Sequence, residues 1–401
     1  MDASDSNALG LYISIPFCRS KCTYCNFASG VYPASEHAHY VERLIADMCS
    51  AGDWAQRMGV ELPRRVDTVY LGGGTPSLLA PELLAGLFAE MRTEFDLDFN
   101  AEITVECAPG QLADEALEAL TAAGVNRVSL GVQSFIDREA AQSGRLHNRA
   151  VVLDDLRRLR AAGIDNLNID LIAGLAGQTF ASWEESLAVR AGSGVPHASI
   201  YMLEVDQDSR LGREMLAHGL RYHADAVPTD DAIAQMYSMA IERLKQAGLE
   251  QYEISNICRP GMESRHNLRY WQRRPYLGIG LDASSMLRKT GSKGGGPVLR
   301  TTTSGDLKDY LAGHEPAEST WLTSAGQHEE AWFLGLRLNA GVEVAALERE
   351  FGAEMLAPAL KAVERLAEAG LVVFDGSTVR LTPQGQLLSN EAFQAFLGLE
   401  E

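Results

Sequence analysis

The sequence has few cysteines, no long apolar run and a shortage of positive charge. Six cysteines in 401 residues are too few for a disulfide framework, and their placement is uneven. Three crowd between residues 18 and 25, while Cys49, Cys107 and Cys258 are scattered. No apolar stretch approaches the ~20 residues that a spanning helix needs. With a mean hydropathy of -0.10, an integral membrane segment is excluded. Lys and Arg total 35 against 54 Asp and Glu, a net charge of -19. That field repels polyanions and argues against sequence-independent binding to nucleic acid or anionic lipid. The first ten residues carry Asp2 and Asp5 where a secretion signal would be basic and apolar, so a cytoplasmic chain with reduced thiols is expected. With 37 Gly and 14 Pro the composition is neither collagen-like nor disordered. The length predicts two or three domains.

Short β-branched or aromatic runs recur at Leu11–Ile15, Val66–Leu71, Ala101–Val105, Val125–Leu130, Asn166–Ile172 and Ala198–Leu203. Stretches with helical spacing follow, among them Tyr40–Met48, Pro81–Met91, Asp114–Ala122 and Val151–Ala161. Ala123-Gly124, Ala162-Gly163 and Ala247-Gly248 punctuate three helix ends, as glycine does when it closes a last turn in the left-handed conformation. Six strand–helix units with right-handed crossovers give an open doubly wound sheet or a barrel. Cys18, Gly72–Thr75, Glu106, Gln133 and Asp170 all fall at or just after strand C-terminal ends. One shared mouth favours an α/β fold built as a full or partial barrel.

The barrel is expected over residues 1–245, followed by a less regular connecting region over 246–320. Within the latter, Gly291–Pro297 lacks the Gly-Lys-Ser/Thr ending of a P-loop and reads as a turn. Residues 321–401 predict helices followed by a hairpin around Asp375-Gly376, a small helical, winged-helix-like domain. From Glu330 onward it carries five Lys or Arg against eleven Asp or Glu, which argues against DNA reading and for packing over the barrel.

The segment Ile15-Pro-Phe-Cys18-Arg-Ser-Lys-Cys22-Thr-Tyr-Cys25-Asn-Phe27 carries the chemistry. Three thiolates on a loop after a strand can wrap one cubane. A 4Fe–4S cluster takes four ligands, so three cysteines leave one iron open to an exogenous ligand. Zinc is the competing metal, although structural zinc favours four protein ligands in paired Cys-x-x-Cys, and no second pair exists here. Three purely structural cysteines fit poorly with such polar, Arg- and Lys-flanked positions.

This spacing, with Tyr12 before it and Gly72-Gly-Gly-Thr-Pro76 after the second strand, resembles the radical S-adenosylmethionine superfamily. Leu11–Cys18, Tyr70–Ser77, Ser129–Phe135, Asn168–Leu175 and Leu381–Gly385 are similar to the oxygen-independent coproporphyrinogen oxidase family. The resemblance implies a partial (β/α)6 barrel with the cluster on Cys18, Cys22 and Cys25. It implies S-adenosylmethionine contacts from Tyr12, Tyr24, Gly73, Gly74, Thr75, Glu106, Gln133, Arg145 and Asp170. The residue types agree, since carboxylates suit ribose hydroxyls and an amino group, and Arg145 suits a carboxylate.

Two branches of the family differ in readable ways. True coproporphyrinogen dehydrogenases resemble Cys-x3-Cys-x2-Cys-x-Cys after a long extension. Here the fourth position is Phe27, and 17 residues precede Cys18. His266-Asn267-Leu268-Arg269-Tyr270-Trp271 is similar to the His-Asn-x-x-Tyr-Trp signature of heme chaperones in the family. A neutral imidazole can ligate heme iron, Tyr270 and Trp271 offer flat apolar surface, and Arg259–Arg274 holds five Arg against one Glu for the propionates. The plainer reading is a core aromatic pair beside a capping histidine, with solvated arginines. Relatives resemble Glu-Ala-Asn-Pro at Glu106-Cys107-Ala108-Pro109, and Gly-Ala-His-Ser at Asp282-Ala283-Ser284-Ser285.

The expectation is a heme-binding chain that hands heme to an acceptor protein the sequence does not identify, with homodimer formation left open. Its runner-up is a porphyrin-modifying radical enzyme. Coproporphyrinogen oxidase activity is not expected, because the fourth cysteine is absent.

Overall fold

The computed structural model describes residues 8–292, 296–313 and 316–398. Six parallel strands carry the fold: β1 (Leu9–Ile15), β2 (Arg65–Gly73), β3 (Asp96–Cys107), β4 (Arg127–Gln133), β5 (Asn166–Ala173) and β6 (His197–Met202). They lie side by side in chain order. A doubly wound sheet would reverse direction at a switch point, so this order is a partial barrel wound one way. Helices α1 (Ser35–Met58), α2 (Pro81–Glu94), α3 (Asp114–Ala122), α4 (Asp137–Gln142), α5 (Arg149–Ala161) and α6 (Phe180–Gly192) form the crossovers. Alternate strand residues such as Leu9, Leu11, Ile13 and Ile15 join the apolar core, which also takes Leu44 of α1 and Leu84 of α2. The three predicted glycine stops are left-handed, with φ of 84°, 86° and 82° at Gly124, Gly163 and Gly248.

After β6 come α7 (Arg210–Leu216) and α8 (Asp230–Gln246), then a segment more ordered than its sequence suggests. Strands β7 (Glu250–Gln251) and β8 (Asn256–Cys258) add antiparallel beside β6. Helix α9 (Arg265–Trp271) follows, and β9 (Tyr276–Ile279) then pairs parallel with β1. β10 (Ser284–Arg288), β11 (Val298–Thr302), α10 (Leu307–Leu311) and β12 (Glu318–Leu322) extend that edge, giving one twelve-stranded sheet. Residues 293–295 of the predicted Gly291–Pro297 turn lie outside the described residues.

The C-terminal unit is helical with a small sheet, as expected. Helices α11 (Ser324–Leu336), α12 (Val344–Phe351) and α13 (Ala353–Glu368) pack with β13 (Val342–Glu343), β14 (Val372–Phe374) and β15 (Thr378–Leu381), followed by α14 (Pro383–Leu387) and α15 (Ser389–Gln394). It has its own core around Trp332, whose ring stacks on Phe396 at 4.8 Å. Backbone bonds tie it to the barrel: Ile254 N–H donates to the Arg337 carbonyl (3.2 Å), and Asn339 N–H to that of Tyr252 (3.0 Å). Among the described residues no helix is long and apolar enough to cross a membrane.

Candidate functional site

A cavity of about 810 Å³ opens at the C-terminal ends of the barrel strands. Cys18, Cys22 and Cys25 line it together with Tyr24, Gly73, Gly74, Thr75, Glu106, Gln133, Arg145 and Asp170. The structure therefore gathers the three cysteines and eight of the nine predicted cofactor residues at one mouth. Tyr12, the ninth, sits below it with its ring 6.2 Å from that of Tyr70.

The cysteine loop is fastened at both ends. Cys18 N–H donates to the Gly30 carbonyl (2.9 Å) and Thr75 N–H to that of Phe17 (2.8 Å). Arg145 Nη1 donates to Cys22 Sγ (3.3 Å), while Nη2 donates to the Gly131 carbonyl. Gly74 is glycine for a packing reason. A Cβ there would meet Ile15 O at 2.7 Å, Phe17 O at 2.8 Å and Phe17 N at 2.9 Å. It leaves room for the backbone of the cysteine loop while lining the cavity. Phe27 is 65% exposed on the rim.

The polar wall is anchored from below. Asn168 Nδ2 donates to Asp170 Oδ1 (2.7 Å) and to Ser129 Oγ (2.8 Å), and Ser129 Oγ donates to Asp170 Oδ2 (3.1 Å). Burial raises the Asp170 carboxyl against these bonds. Burial also pushes Glu106 up to about 7, opposed by a hydrogen bond from Tyr70 (2.8 Å), a Gly73 N–H and the nearby Arg127. Gln133 stands at a shift in the β4–β5 register with a left-handed φ of 68°, and its Oε1 is buried without a partner. Strain and an orphaned acceptor at a cavity wall suit a site built for a ligand. Three thiols, two carboxylates, an amide and a guanidinium fit a cluster together with an amino-acid-bearing cofactor.

The remaining cysteines stand apart from this chemistry. Cys107 borders the cavity from the end of β3, outside the cysteine loop, and burial pushes its thiol up to about 12. Ser284 and Ser285 hydrogen-bond within the sheet edge: Ser284 Oγ shares a bond with Thr302 Oγ1 (3.0 Å), and Ser285 Oγ accepts from Gly278 N–H (3.0 Å).

The predicted heme segment is α9, at the opposite end of the barrel. Buried Glu102 of β3 accepts the Arg265 and His266 N–H groups (both 3.0 Å), a carboxylate at a helix N-terminus. His266 is 1% exposed, with Nδ1 against Thr68 Oγ1 (3.0 Å) and Nε2 against Tyr270 Oη (2.7 Å). Burial, with Arg269 and Arg127 nearby, holds its pKa well below the ordinary value, so the ring is neutral. Asn267 N–H donates to the capping Ser264 Oγ (3.3 Å). Tyr270 packs edge-on against Tyr276 at 4.7 Å, and Trp271 lies under Arg337.

The arginines assigned to propionates have partners inside the fold. Arg269 and Arg274 share Asp67, and Arg273 forks onto Glu350 (2.6 and 3.0 Å). Arg265 and Arg259 donate to the carbonyls of Asn100 (2.7 Å) and Gly194 (3.1 Å). The local +4 is thus partly an internal pairing network. Sequence reasoning also missed Tyr70 and Arg127, which face Glu106 from β2 and β4. Their inward period-two positions were the available signal.

A parallel partial barrel with three cysteines after its first strand and a glycine turn after its second defines a radical SAM scaffold. Residues 12–189 match the radical SAM superfamily model and residues 322–388 the HemN C-terminal domain. The chain is 33% identical over 386 residues to the heme chaperone HemW of Lactococcus lactis subsp. lactis, covering 96% of each. It is 34% identical over 396 residues to that of Bacillus subtilis, covering 96% of this chain and 98% of the relative. The chain belongs to the HemW family. Its fold is shared with the radical SAM coproporphyrinogen III oxidase HemN from Escherichia coli, at a TM-score of 0.82 and 23% identity over 98% of this chain and 90% of that one.

Proposed function

We propose that this chain binds heme and passes it to an acceptor protein in the cytoplasm, on a scaffold that carries a 4Fe–4S cluster and S-adenosylmethionine. The observation that carries the reading is its similarity, along nearly the whole length, to proteins named heme chaperones. Cys18, Cys22 and Cys25 hold the cluster, which supplies an iron with an open coordination position. Glu106 and Asp170 take the cationic and hydroxyl groups of S-adenosylmethionine, and Arg145 takes its carboxylate, with Gln133 Oε1 as a ready acceptor. Tyr12, Tyr24, Gly73, Gly74 and Thr75 shape the wall.

The heme residues are His266, Asn267, Tyr270 and Trp271. The neutral His266 imidazole is in the state that ligates iron, through one ring nitrogen that gives up its bond to Thr68 or Tyr270 while the other nitrogen keeps its own. With the ring only 1% exposed, heme uptake requires the imidazole to become accessible. The exposed Phe27 ring, in place of a fourth cysteine, speaks for a chaperone over an oxidase. The test is anaerobic reconstitution followed by heme titration, heme transfer to a heme-depleted acceptor and assay of coproporphyrinogen III turnover. Heme transfer without porphyrinogen turnover is expected. Turnover without heme transfer would overturn the reading in favour of a porphyrin-modifying enzyme.

A further inference from the structure

Strand β2 sends alternate residues into the barrel, and three of them connect its two ends. Thr68 meets His266 Nδ1 (3.0 Å) and accepts from Arg269 Nε (3.2 Å). Tyr70 has its ring 5.3 Å from that of His266, inclined at 31°, and its hydroxyl donates to Glu106 Oε1 (2.8 Å). Gly72 abuts both partners of that bond: a Cβ there would stand 2.9 Å from the Tyr70 ring and 3.0 Å from the Glu106 carboxyl carbon. One tyrosine side chain thus fills the distance between the imidazole of α9 and the carboxylate of the mouth.

We propose that Tyr70 is a positioning residue shared by the two sites: its hydroxyl fixes Glu106 toward the S-adenosylmethionine cavity and its ring backs His266, so that occupancy of either site biases the other. This deepens the heme-chaperone reading and rests on it for the heme half. Glu106 accepts from Tyr70 and from Gly73 N–H, which aims its remaining lone pairs into the cavity. Around it stand Tyr12 from β1, Arg127 from β4, Asp170 from β5, Tyr201 from β6 and Tyr270 from α9, and Arg127 is the cation in that ring. A carboxylate so buried needs both donors to ionise, and burial already pushes it up to about 7. When His266 turns one ring nitrogen to an iron, the ring it moves against is that of Tyr70. Any adjustment of that ring reaches Glu106 through a single hydrogen bond. Such linkage is reciprocal by thermodynamic necessity.

The experiment uses the full, cluster-loaded chain as wild type, Tyr70→Phe and Tyr70→Leu, with iron content as the check on folding. S-adenosylmethionine affinity is measured across the neutral pH range. Heme is titrated with and without saturating S-adenosylmethionine. In the wild type, cofactor affinity falls as pH drops through about 7. Tyr70→Phe keeps the ring but removes the donor, so that fall moves to higher pH and affinity at neutral pH drops roughly tenfold, the loss of a hydrogen bond to a charged group. The wild type's heme affinity changes several-fold with S-adenosylmethionine, and Tyr70→Leu brings that ratio to one. An unshifted pH profile in Tyr70→Phe overturns the proposal, as does a wild-type ratio of one when heme binds. No heme binding by the wild type overturns the chaperone reading itself, and the shared role with it.

Discussion

The Arg337 guanidinium lies 4.2 Å from the centre of the Trp271 ring, and its Nη2 donates to the buried Glu253 (3.4 Å). The last residue of α9 is thereby held by the C-terminal domain, at the point where residues 252–254 and 337–339 exchange backbone bonds. One face of the indole is occupied, so the aromatic surface read from the sequence carries a domain contact.

Trp271→Ala should cost about 1–3 kcal/mol, from the cation–π contact and the lost apolar burial. It should also raise amide exchange at Ile254 and Asn339. Trp271→Phe, which keeps a ring under Arg337, should recover part of both. Unchanged protection in Trp271→Ala would mean that the backbone bonds alone hold the junction.

Gly74→Ala should lose cluster iron and not merely cofactor affinity. The added Cβ would press on the Ile15 and Phe17 backbone that leads into Cys18. These are backbone atoms, which cannot swing aside as a flexible side chain would. Iron analysis after anaerobic reconstitution decides it, and full iron loading with weakened S-adenosylmethionine binding would mean that Gly74 serves the approach of the ligand instead.

The chemistry at the mouth was legible because it is written in consecutive residues: Cys18 to Cys25, Gly72 to Thr75, and polar residues at the ends of apolar strands. The barrel order followed from those ends. Strands β7 to β12 were hidden because they run two to five residues, too short for a period to declare itself. Asn168 also bonds to Ser199 Oγ (3.0 Å) and His197 Nδ1 (2.6 Å), and this interior network of Ser129, Asn168, Ser199 and His197 alternates with Val, Leu, Ala and Ile along the strands. In a parallel sheet buried on both faces that alternation is easily read as apolar throughout. The fate of the arginines depended on Asp67 and Glu350, remote in sequence from Arg259–Arg274 and without a local signal.

Cys22→Ala should abolish the cluster, because two remaining thiolates cannot hold it. Cys49→Ala, Cys107→Ala and Cys258→Ala should leave iron and sulfide content nearly intact. Cys49 lies exposed on α1 and Cys258 is buried in β8, neither of them lining the cavity, and Cys107 ends β3 outside the loop that carries Cys18, Cys22 and Cys25. Loss of the cluster in Cys258→Ala as complete as in Cys22→Ala would reassign the ligands.

His266→Ala should weaken heme binding and alter the heme absorbance spectrum while the cluster remains. It should also destabilise the fold by roughly 1–3 kcal/mol, since buried Thr68 and Tyr270 lose a shared partner. His266→Gln, which can keep one of those bonds but offers iron no imidazole, separates the two effects. A His266→Gln protein with native heme affinity and spectrum would make this histidine a core residue only.

Glu106 sets a conflict between stability and binding that pH exposes. Its carboxyl is raised from an ordinary 4.5 to about 7 in the fold, chiefly by burial. Between those values the folded chain keeps a proton that the unfolded chain has released. The carboxyl therefore leaves stability intact below about 4.5, erodes it as pH rises to about 7, and adds nothing further beyond. At about 1.4 kcal/mol per pH unit the cost on the alkaline side is at most about 3.5 kcal/mol. Glu106→Gln removes that cost while still accepting from Tyr70. Urea unfolding of the cluster-free chain should thus find the variant more stable than wild type above neutrality, with the gain shrinking toward zero in acid. The same variant should bind S-adenosylmethionine poorly, because a neutral amide cannot balance an ammonium group. A variant no more stable than wild type at alkaline pH would show that Tyr70, Gly73 and Arg127 already hold the carboxylate without penalty, and its role would then be binding alone.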